Sequence, residues 1–405
     1  MRYHAFSSSS SSTNTMLGAC LFTAALLVGP IEERQIVAAE LEGILTDQEV
    51  IEGWIALFDG KTTFGWQPAV QCDWTVRDGA IVVTDGAVGL LNTTTQFGDY
   101  ILRLEFRSPE ATNSGIFLRT PEIPKNPAAD CYELNIAPAD NPFPTGSFVG
   151  REKATPAYRG GWRQYEVTAL GDHFVVKLDG ETVLDYHDPQ PVKRGLIGLQ
   201  HNSGPVEFRR IRLKPLGLQS AFNGRDLTGW KAYPEMPSKF EVQENGELHV
   251  QNGRGQLETI RQYGDFVLQL QCITHADQLN SGVFFRCIPG EQMNGYECQI
   301  HNGFKDGDRT QPVDTGTGGI FRRQPARKVV ADDQKWFSLT LIADGAHMAA
   351  WVDGYQVSDW TDTRTADPNP RRGLRVEPGT IMLQGHDPTT DISFRNIFIG
   401  EIPPR

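Results

Sequence analysis

Short runs in which apolar and polar residues alternate recur along most of the chain, each bounded by Gly, Asp, Asn or Pro. Tyr100-Ile101-Leu102-Arg103-Leu104-Glu105-Phe106 alternates after Phe97-Gly98-Asp99, and Phe266-Val267-Leu268-Gln269-Leu270-Gln271 does so after Tyr263-Gly264-Asp265. A period of two sends successive side chains to opposite faces, so each run predicts a strand with one face in a core and the other towards water. Phe174–Leu178, turning at Asp179-Gly180 into Thr182-Val183-Leu184, predicts a hairpin, and Met348–Val352, turning at Asp353-Gly354 into Gln356-Val357, predicts its counterpart. With few helical patterns between these runs, the expected fold class is all-β, an antiparallel two-sheet sandwich or jelly roll.

The landmarks come twice in one order. Leu57-Phe58-Asp59-Gly60-Lys61…Gly65-Trp66 returns as Ala221-Phe222-Asn223-Gly224-Arg225…Gly229-Trp230, and Asn113-Ser114-Gly115-Ile116-Phe117-Leu118-Arg119 as Asn280-Ser281-Gly282-Val283-Phe284-Phe285-Arg286. This predicts two tandem domains, 54–215 and 217–402, joined near Lys214-Pro215-Leu216-Gly217, with 40–53 as a lead-in helix or arm. Each domain has an ordinary size for one core. Trp66 and Trp230 are expected behind turns, Trp162 and Trp336 as core anchors, and Phe208-Arg209 and Phe394-Arg395 as sheet-closing strands with local salt bridges.

Composition narrows the partners. A formal net charge of −12 opposes binding to nucleic acid or to an anionic membrane surface. A neutral sugar ligand is compatible with this charge, which does not select it. Arg2 and His4 lead through a serine run into an apolar stretch from Met16 to Gly29, the pattern of a secretory signal rather than a stable membrane span. Residues 1–39 are assigned to it, with Val37-Ala38-Ala39 as cleavage site, and export to the periplasm or beyond is expected. Leu17-Gly18-Ala19-Cys20 resembles a lipoprotein box but stands at the start of the apolar run, so Cys20 is assigned to that run. Cys72, Cys131, Cys272, Cys287 and Cys298 remain, an odd number with no CxxC pair, which argues against a structural zinc site.

Alternation also sorts the polar candidates. In the second repeat Asn280, Gly282, Phe284 and Arg286 share one face, as do Glu297, Gln299 and His301 in Gly295–His301. Tyr296, Cys298 and Ile300 take the opposite face. Packing the apolar sets together gathers Arg286, Glu297, Gln299 and His301 on one exposed face. The first repeat offers Arg119, Glu133 and Asn135 in the same way. Gly115 and Gly282 leave room there for a close-approaching ligand. An antiparallel sheet ordinarily carries one solvated face, however, and a cross-strand Arg–Glu pair is equally what such a face would hold. Phe117 and Phe284 suit either stacking on a sugar ring or cover by a loop. Cys287 and Cys298 suit buried apolar positions, with a disulfide as the alternative. His386, at a strand end beside Asp387, is the better histidine candidate for a general base.

Together, FDGKTTFGW, NSGIFLR, the Tyr-Glu-x-Gln/Asn-Ile strand, LDG or VDG, the Gly…Leu-Gln…His strand and FR(N/R)I resemble the 3-keto-disaccharide hydrolase family, present here as two tandem copies. The resemblance implies two concanavalin A-like lectin/glucanase sandwiches acting on glycosides whose sugar carries a C3 ketone. That carbonyl acidifies the C2 hydrogen, a base removes it, an electrophile holds the enolate oxygen, the C1 oxygen leaves, and water adds back. No paired acid and nucleophile is required. Carried over by motif, Arg286 becomes the oxyanion partner, Glu297 or His386 the base, and Gln299 an orienting amide. Asn280, Phe284, His301, Arg119, Glu133 and Asn135 become substrate contacts.

The first repeat departs from the pattern at Asn135 and at His201, which follows Gln200 directly. The second departs at His301-Asn302, where an acidic residue is expected. Two classes therefore stand: an exported hydrolase of 3-keto-glycosides, its site in the second domain, and a tandem lectin-like module binding glycans without turnover. No cofactor is expected, although a divalent metal can replace Arg as electrophile. The expected partners are an oligosaccharide or glycoside ligand and a separate sugar 3-oxidase acting upstream.

Overall fold

A computed structural model describes residues 45–155 and 158–404; the expected signal segment, with Cys20 and Val37-Ala38-Ala39, lies outside them. The lead-in carries a short helix, Asp47–Ile51. Thr46 Oγ1 accepts from the Glu49 amide while the Glu49 carboxylate accepts from the Thr46 amide, a reciprocal cap that starts the helix. Among the described residues no helix is long and apolar enough to cross a membrane.

Two antiparallel sandwiches follow with one topology. In the first, the larger sheet runs Glu181–His187, His173–Leu178, Arg163–Leu170, Tyr100–Arg107, Val206–Pro215, Ala80–Val83, Thr75–Arg77, and Ile55–Ala56 also pairs with Val206–Pro215. Its partner has five strands, Trp66–Pro68, Gly89–Thr93, Leu196–Ser203, Asn113–Thr120 and Tyr132–Ile136. The second sandwich repeats both orders. Its five-stranded sheet runs Trp230–Ala232, Gly255–Thr259, Thr380–Gly385, Ser281–Cys287, Tyr296–Ile300. The protein is all-β, two tandem concanavalin A-like jelly rolls.

The alternation in Tyr100–Arg107 is realised as expected: Tyr100, Leu102, Leu104 and Phe106 enter the first core while Arg103 points out to Glu166. Trp66 and Trp230 are buried, their indole N–H groups donating to Leu57 O and Ala221 O. Phe208 and Phe394 lie in the cores, and Arg209 pairs with Glu105. Trp162 and Trp336 correct the expectation of core anchors. They lie outside the two main cores under guanidinium groups, Arg209 at 3.9 Å from one ring and Arg395 at 3.8 Å from the other. An aromatic face next to an Arg-bearing strand gains about 0.5–1 kcal/mol from a cation laid over it. Cys287 and Cys298 are fully buried free thiols.

Strict alternation fails in the second sandwich, and the failure locates the first. Phe266–Thr274 and His347–Val352 are buried on both faces. Register on the hairpins aligns Trp351 with Lys177, so a buried indole stands where the first repeat presents a solvated ammonium. Trp351, Ala349, Ile342 and Val267 join the hydrophobic cluster of the first sandwich. Trp351 Nε1 donates to Ala56 O at 3.0 Å, and the Ala56 amide donates to Gly354 O at 2.8 Å. Polar contacts rim this seam: Gln269 Nε2 to Gly53 O at 2.8 Å, Arg327 Nη1 to Asp59 Oδ2 at 2.9 Å, and Thr94 Oγ1 to Asp359 Oδ1 at 2.7 Å. The two repeats are packed faces rather than beads on a linker.

Truncating a fully buried indole leaves a cavity that costs about 3–5 kcal/mol. Trp351→Ala is expected to lose that much in urea unfolding, whereas Lys177→Ala on the equivalent solvated face stays within about 0.5 kcal/mol. Equal losses would contradict the seam.

Candidate functional site

The face of the second five-stranded sheet that points away from the core is built by four neighbouring strands. Phe284 is opposite Glu297 on one side and Met382 on the other, Gly282 is opposite Gln299, and Gln256 is opposite Gln384. Alternation sends Tyr296, Cys298 and Ile300 into the core and leaves Glu297 and Gln299 on this outer face. A cavity of about 330 Å³ opens over it, reached by Glu297, Gln299, Phe284, Asn280 and His386. Residues from two strands, from just before one of them and from the loop after a third thus meet at one place. Phe284 is only 2% exposed and packs with Cys287, Met293 and Met382, so it floors the cavity more than it offers a stacking face.

Glu297 is the electrostatic anomaly. Among the described residues its carboxylate takes no hydrogen bond. Burial pushes its pKa up to about 8, reinforced by Asp314 and opposed by Arg371 and Arg322. Room for it comes from Gly282, where a Cβ would stand 2.7 Å from Glu297 Oε1. Gln299 Nε2 donates to Asn280 Oδ1 at 2.9 Å, and Asn280 Nδ2 donates to Asp314 Oδ2 at 2.8 Å. Two buried amide oxygens, Gln299 Oε1 and Gln384 Oε1, have no partner among the described residues. Unpaired buried acceptors beside a cavity match ligand hydroxyl donors. His386 Nδ1 lies 2.8 Å from Asp387 Oδ2.

Two expectations are corrected. Arg286 and Arg119 do not share this face: both side chains are fully buried. Each sits at positive φ, 49° and 52°, beside a shift in strand register, so an extra residue turns the side chain through to the other side. There Arg286 Nη2 donates to Asp265 Oδ1 at 2.9 Å and Nη1 to Gly345 O and Arg375 O. Arg119 binds Asp99, Gly98 O, Gly171 O and Val192 O in the same manner. The pair explains why Phe-Gly-Asp and Tyr-Gly-Asp recur ahead of each long strand. His301 is also set back from the cavity wall. Its Nδ1 accepts from the Gly303 amide at 3.1 Å, and burial holds its pKa below the ordinary imidazole value.

Residues missed by the strand patterns come from loops and strand ends. Arg254, Asp314, Phe321, Arg322 and Arg371 line the same cavity. Met293, Asp314, Thr315 and Arg322 all hold positive φ, an unusual concentration of left-handed backbone for residues other than glycine. For Asp314 and Arg371 the sequence signal lies in loop length. Ala137 and Thr145 make the backbone-to-hydroxyl contact that His301 and Thr317 make, so 302–316 replaces 138–144. Tyr132 with Asp188 and Val192 matches Tyr296 with Asp362 and Arg375, so 363–374 replaces 189–191.

The first repeat's corresponding face is filled differently. Leu90, Phe117 and Cys131 cluster on it, and Glu133 accepts from Gln200 Nε2 at 3.0 Å. Burial raises the Glu133 pKa and that hydrogen bond opposes the rise. Asn135 Nδ2 donates to Phe143 O. Register puts His201 opposite Gly89 and Gly385 opposite Gly255, so His201 matches Gly385 and Asn202 takes the place of His386. Asn135 Oδ1 and Gln200 Oε1 are unpaired, as in the second repeat. The two faces therefore share acceptors but not charges.

Among the described residues, two groups of side chains place three metal-competent atoms within 4.8 Å of one another, His173-Asp185-His187 and His249-His275-Asp391. Neither includes a residue lining the cavity over Glu297.

Paired jelly rolls, one with a polar cavity on the outer face of its smaller sheet, make this a tandem β-sandwich protein. More narrowly, the chain belongs to the family of the 3-keto-alpha-glucoside-1,2-lyase-like domain, whose model matches residues 53–214 and again 217–400. It is 25% identical over 247 residues to a 3-keto-disaccharide hydrolase of Bacteroides thetaiotaomicron, covering 45% of this chain and 85% of that protein. A presumed glycosyl hydrolase of Parabacteroides distasonis superposes with a TM-score of 0.38 at 20% identity, over 42% of this chain and 98% of its own. For the β-glucanase of Bacillus licheniformis the TM-score is 0.32 at 15% identity, over 46% of this chain and 98% of that chain.

Two predictions separate structural from chemical charge. Removing one partner of a buried pair costs about 3–5 kcal/mol. Arg286→Met is expected to lose stability on that scale in urea while its folded fraction keeps the affinity for glycans; normal stability with lost binding would reverse the assignment. For Glu297 the folded pKa lies above the ordinary 4.5, so the folded state binds more protons than the unfolded one between that value and about 8. Stability therefore falls as pH rises through this window. Glu297→Gln is expected to match the wild type near pH 4 and to melt higher at pH 9, by roughly 2–4 °C per kcal/mol recovered. A gap that shrinks with rising pH would be the wrong sign.

Proposed function

We propose that the protein is an exported hydrolase of 3-keto-glycosides whose reaction occurs over the second sandwich, with Glu297 as the base. The observation that carries this reading is the desolvated Glu297 carboxylate, poised at about 8 and facing a cavity walled by guanidinium groups and His386. A base of that pKa accepts a proton from an acidified carbon more readily than an ordinary carboxylate does. Arg371, the strongest charged influence on Glu297, is assigned the enolate oxygen.

Glu297 takes the C2 proton, and the C2–H electrons form the enolate with the C3 carbonyl. The enolate collapses to a C1–C2 double bond as the glycosidic oxygen departs from C1. His386, oriented by Asp387, delivers the proton that oxygen needs. Water then adds its oxygen to C1 and a proton returns to C2, giving the free 3-keto sugar and net hydrolysis. The unpaired oxygens of Gln299 and Gln384 receive sugar hydroxyls during these steps. The ketone must come from elsewhere, so a separate enzyme oxidising a sugar at C3 acts upstream. The first sandwich, with Glu133 held by Gln200 and the face packed by Leu90 and Phe117, is assigned a supporting role.

Incubating the purified protein with a 3-keto glucoside in deuterated water tests this directly. Expected are release of the aglycone and exchange at C2; glycan binding with neither event would leave a lectin-like tandem module. Glu297→Gln is expected to lower turnover about 10²–10⁴-fold, with Glu133→Gln close to wild type. Equal effects would move the site. Because Glu297 must be ionised, kcat/KM should rise with pH through about 8. A chelator should leave turnover unchanged; metal-reversible loss would transfer the electrophile's role from Arg371 to a cation.

A further inference from the structure

The cleft holds more positive charge than its reaction needs. Arg254, Arg322 and Arg371 line the cavity over Glu297, and Arg323 joins Arg322 and Arg371 in the adjoining cavity of about 160 Å³. Among the described residues none of the four makes an ion pair with a carboxylate. Arg371 Nη2 donates to Met293 O, and Arg323 Nη2 to Arg371 O at 3.0 Å. The acidic groups lining the two cavities are Glu297 and Asp314. The whole chain carries 38 Lys and Arg against 50 Asp and Glu, so unpaired guanidinium groups gathered here run against its overall balance.

Arg254, Arg322 and Arg371 are specific to the second repeat, whereas Arg323 aligns with Arg151 of the first, which pairs with Asp188. Bridges from Phe148 to Glu152 and from Ile320 to Gln324 align Gly150 with Arg322. Register aligns Val88 with Arg254, and Arg371 lies in the segment that replaces 189–191. Gly150 has φ +71° and Arg322 φ +58°. The second repeat thus keeps the left-handed turn and places an arginine where glycine would be free of strain. Arg322, kept at an unfavourable backbone position, rests its guanidinium 5.1 Å from the centre of the Phe321 ring and pairs with no carboxylate among the described residues, which leaves its N–H donors for a ligand.

On the reading given above, one guanidinium, Arg371, suffices for the enolate. We propose that Arg254 and Arg322 form a subsite for an oxyanion carried by the saccharide, so that the preferred ligand is an acidic glycoside bearing a carboxylate or a sulfate. Guanidinium groups bind either oxyanion through paired N–H donors, and a cleft of local positive potential draws such a ligand past the protein's net negative field.

Calorimetric titration of the full chain tests the subsite without requiring turnover. The probes are a neutral β-linked glucose disaccharide, the same disaccharide with one C6 oxidised to a carboxylate, and its 6-sulfate. At least one acidic form is expected to bind about tenfold more tightly in low salt, with the advantage shrinking as salt rises. The carboxylate and sulfate arms show which oxyanion fits. Arg254→Gln and Arg322→Gly should each reduce that advantage while leaving affinity for the neutral disaccharide unchanged. Arg322→Gly restores the first repeat's residue and relieves the backbone, so misfolding does not confound it. Equal affinities for neutral and acidic forms, or an advantage untouched in both variants, would overturn the subsite. Cleavage of a neutral 3-keto glucoside without acidic preference defeats only the subsite; acidic preference without cleavage or C2 exchange defeats only the hydrolase reading.

Discussion

The buried pair of Arg286 and Asp265 is the joint on which the second sandwich is organised. An extra residue at the end of Ser281–Cys287 turns the guanidinium away from the cavity and into the body of the protein. Asp265 holds it through one oxygen, which also accepts from the Gly345 amide, while the other accepts from Arg194 of the first sandwich at 2.7 Å. Burial disfavours the Asp265 charge, but these donors outweigh it and hold the carboxyl below its ordinary pKa. A carboxylate so committed fixes strand, hairpin turn and neighbouring domain together. With Arg286 withdrawn, the outer face loses the cation that a plain strand would have set opposite Gly295, diagonal to Glu297. That carboxyl is left desolvated and chemically available.

This arrangement explains which parts of the protein were legible in its sequence. The fold was readable because alternation survives wherever one face of a strand meets water, as in Tyr100–Arg107. Duplication then doubled every landmark. Glu297, Gln299, Phe284 and Asn280 were placed together correctly because they lie on regular stretches with a period of two. Arg286 and Arg119 were misplaced because one bulged residue inverts every inference beyond it, and neither residue carries a mark of positive φ in its side chain. Trp162 and Trp336 misled for a related reason, since an arginine over an indole hides aromatic surface without a core.

The remaining cavity residues were illegible for a different reason. Arg254, Asp314, Arg322 and Arg371 lie in turns and extended loops whose course is set by tertiary contacts, and periodicity says nothing about them. Their trace appears only when the copies are laid side by side, in the longer segments 302–316 and 363–374 and in arginine at the position of Gly150. A duplicated chain contains its own control: the Arg–Asp pairs, kept in both copies, serve the scaffold. Where the copies differ in charge on the same face, the difference has a physical cause outside the scaffold.

Trp351 in the place of Lys177 has a historical consequence. When two copies stood apart, each could have been lost without harm to the other. Once the second acquired an indole on its outer face and the first closed over it, deletion of the first would bare an oily patch on the survivor. The second copy thereby came to depend on the first. A domain can then persist in a lineage with no reaction of its own, retained because its neighbour can no longer face water alone.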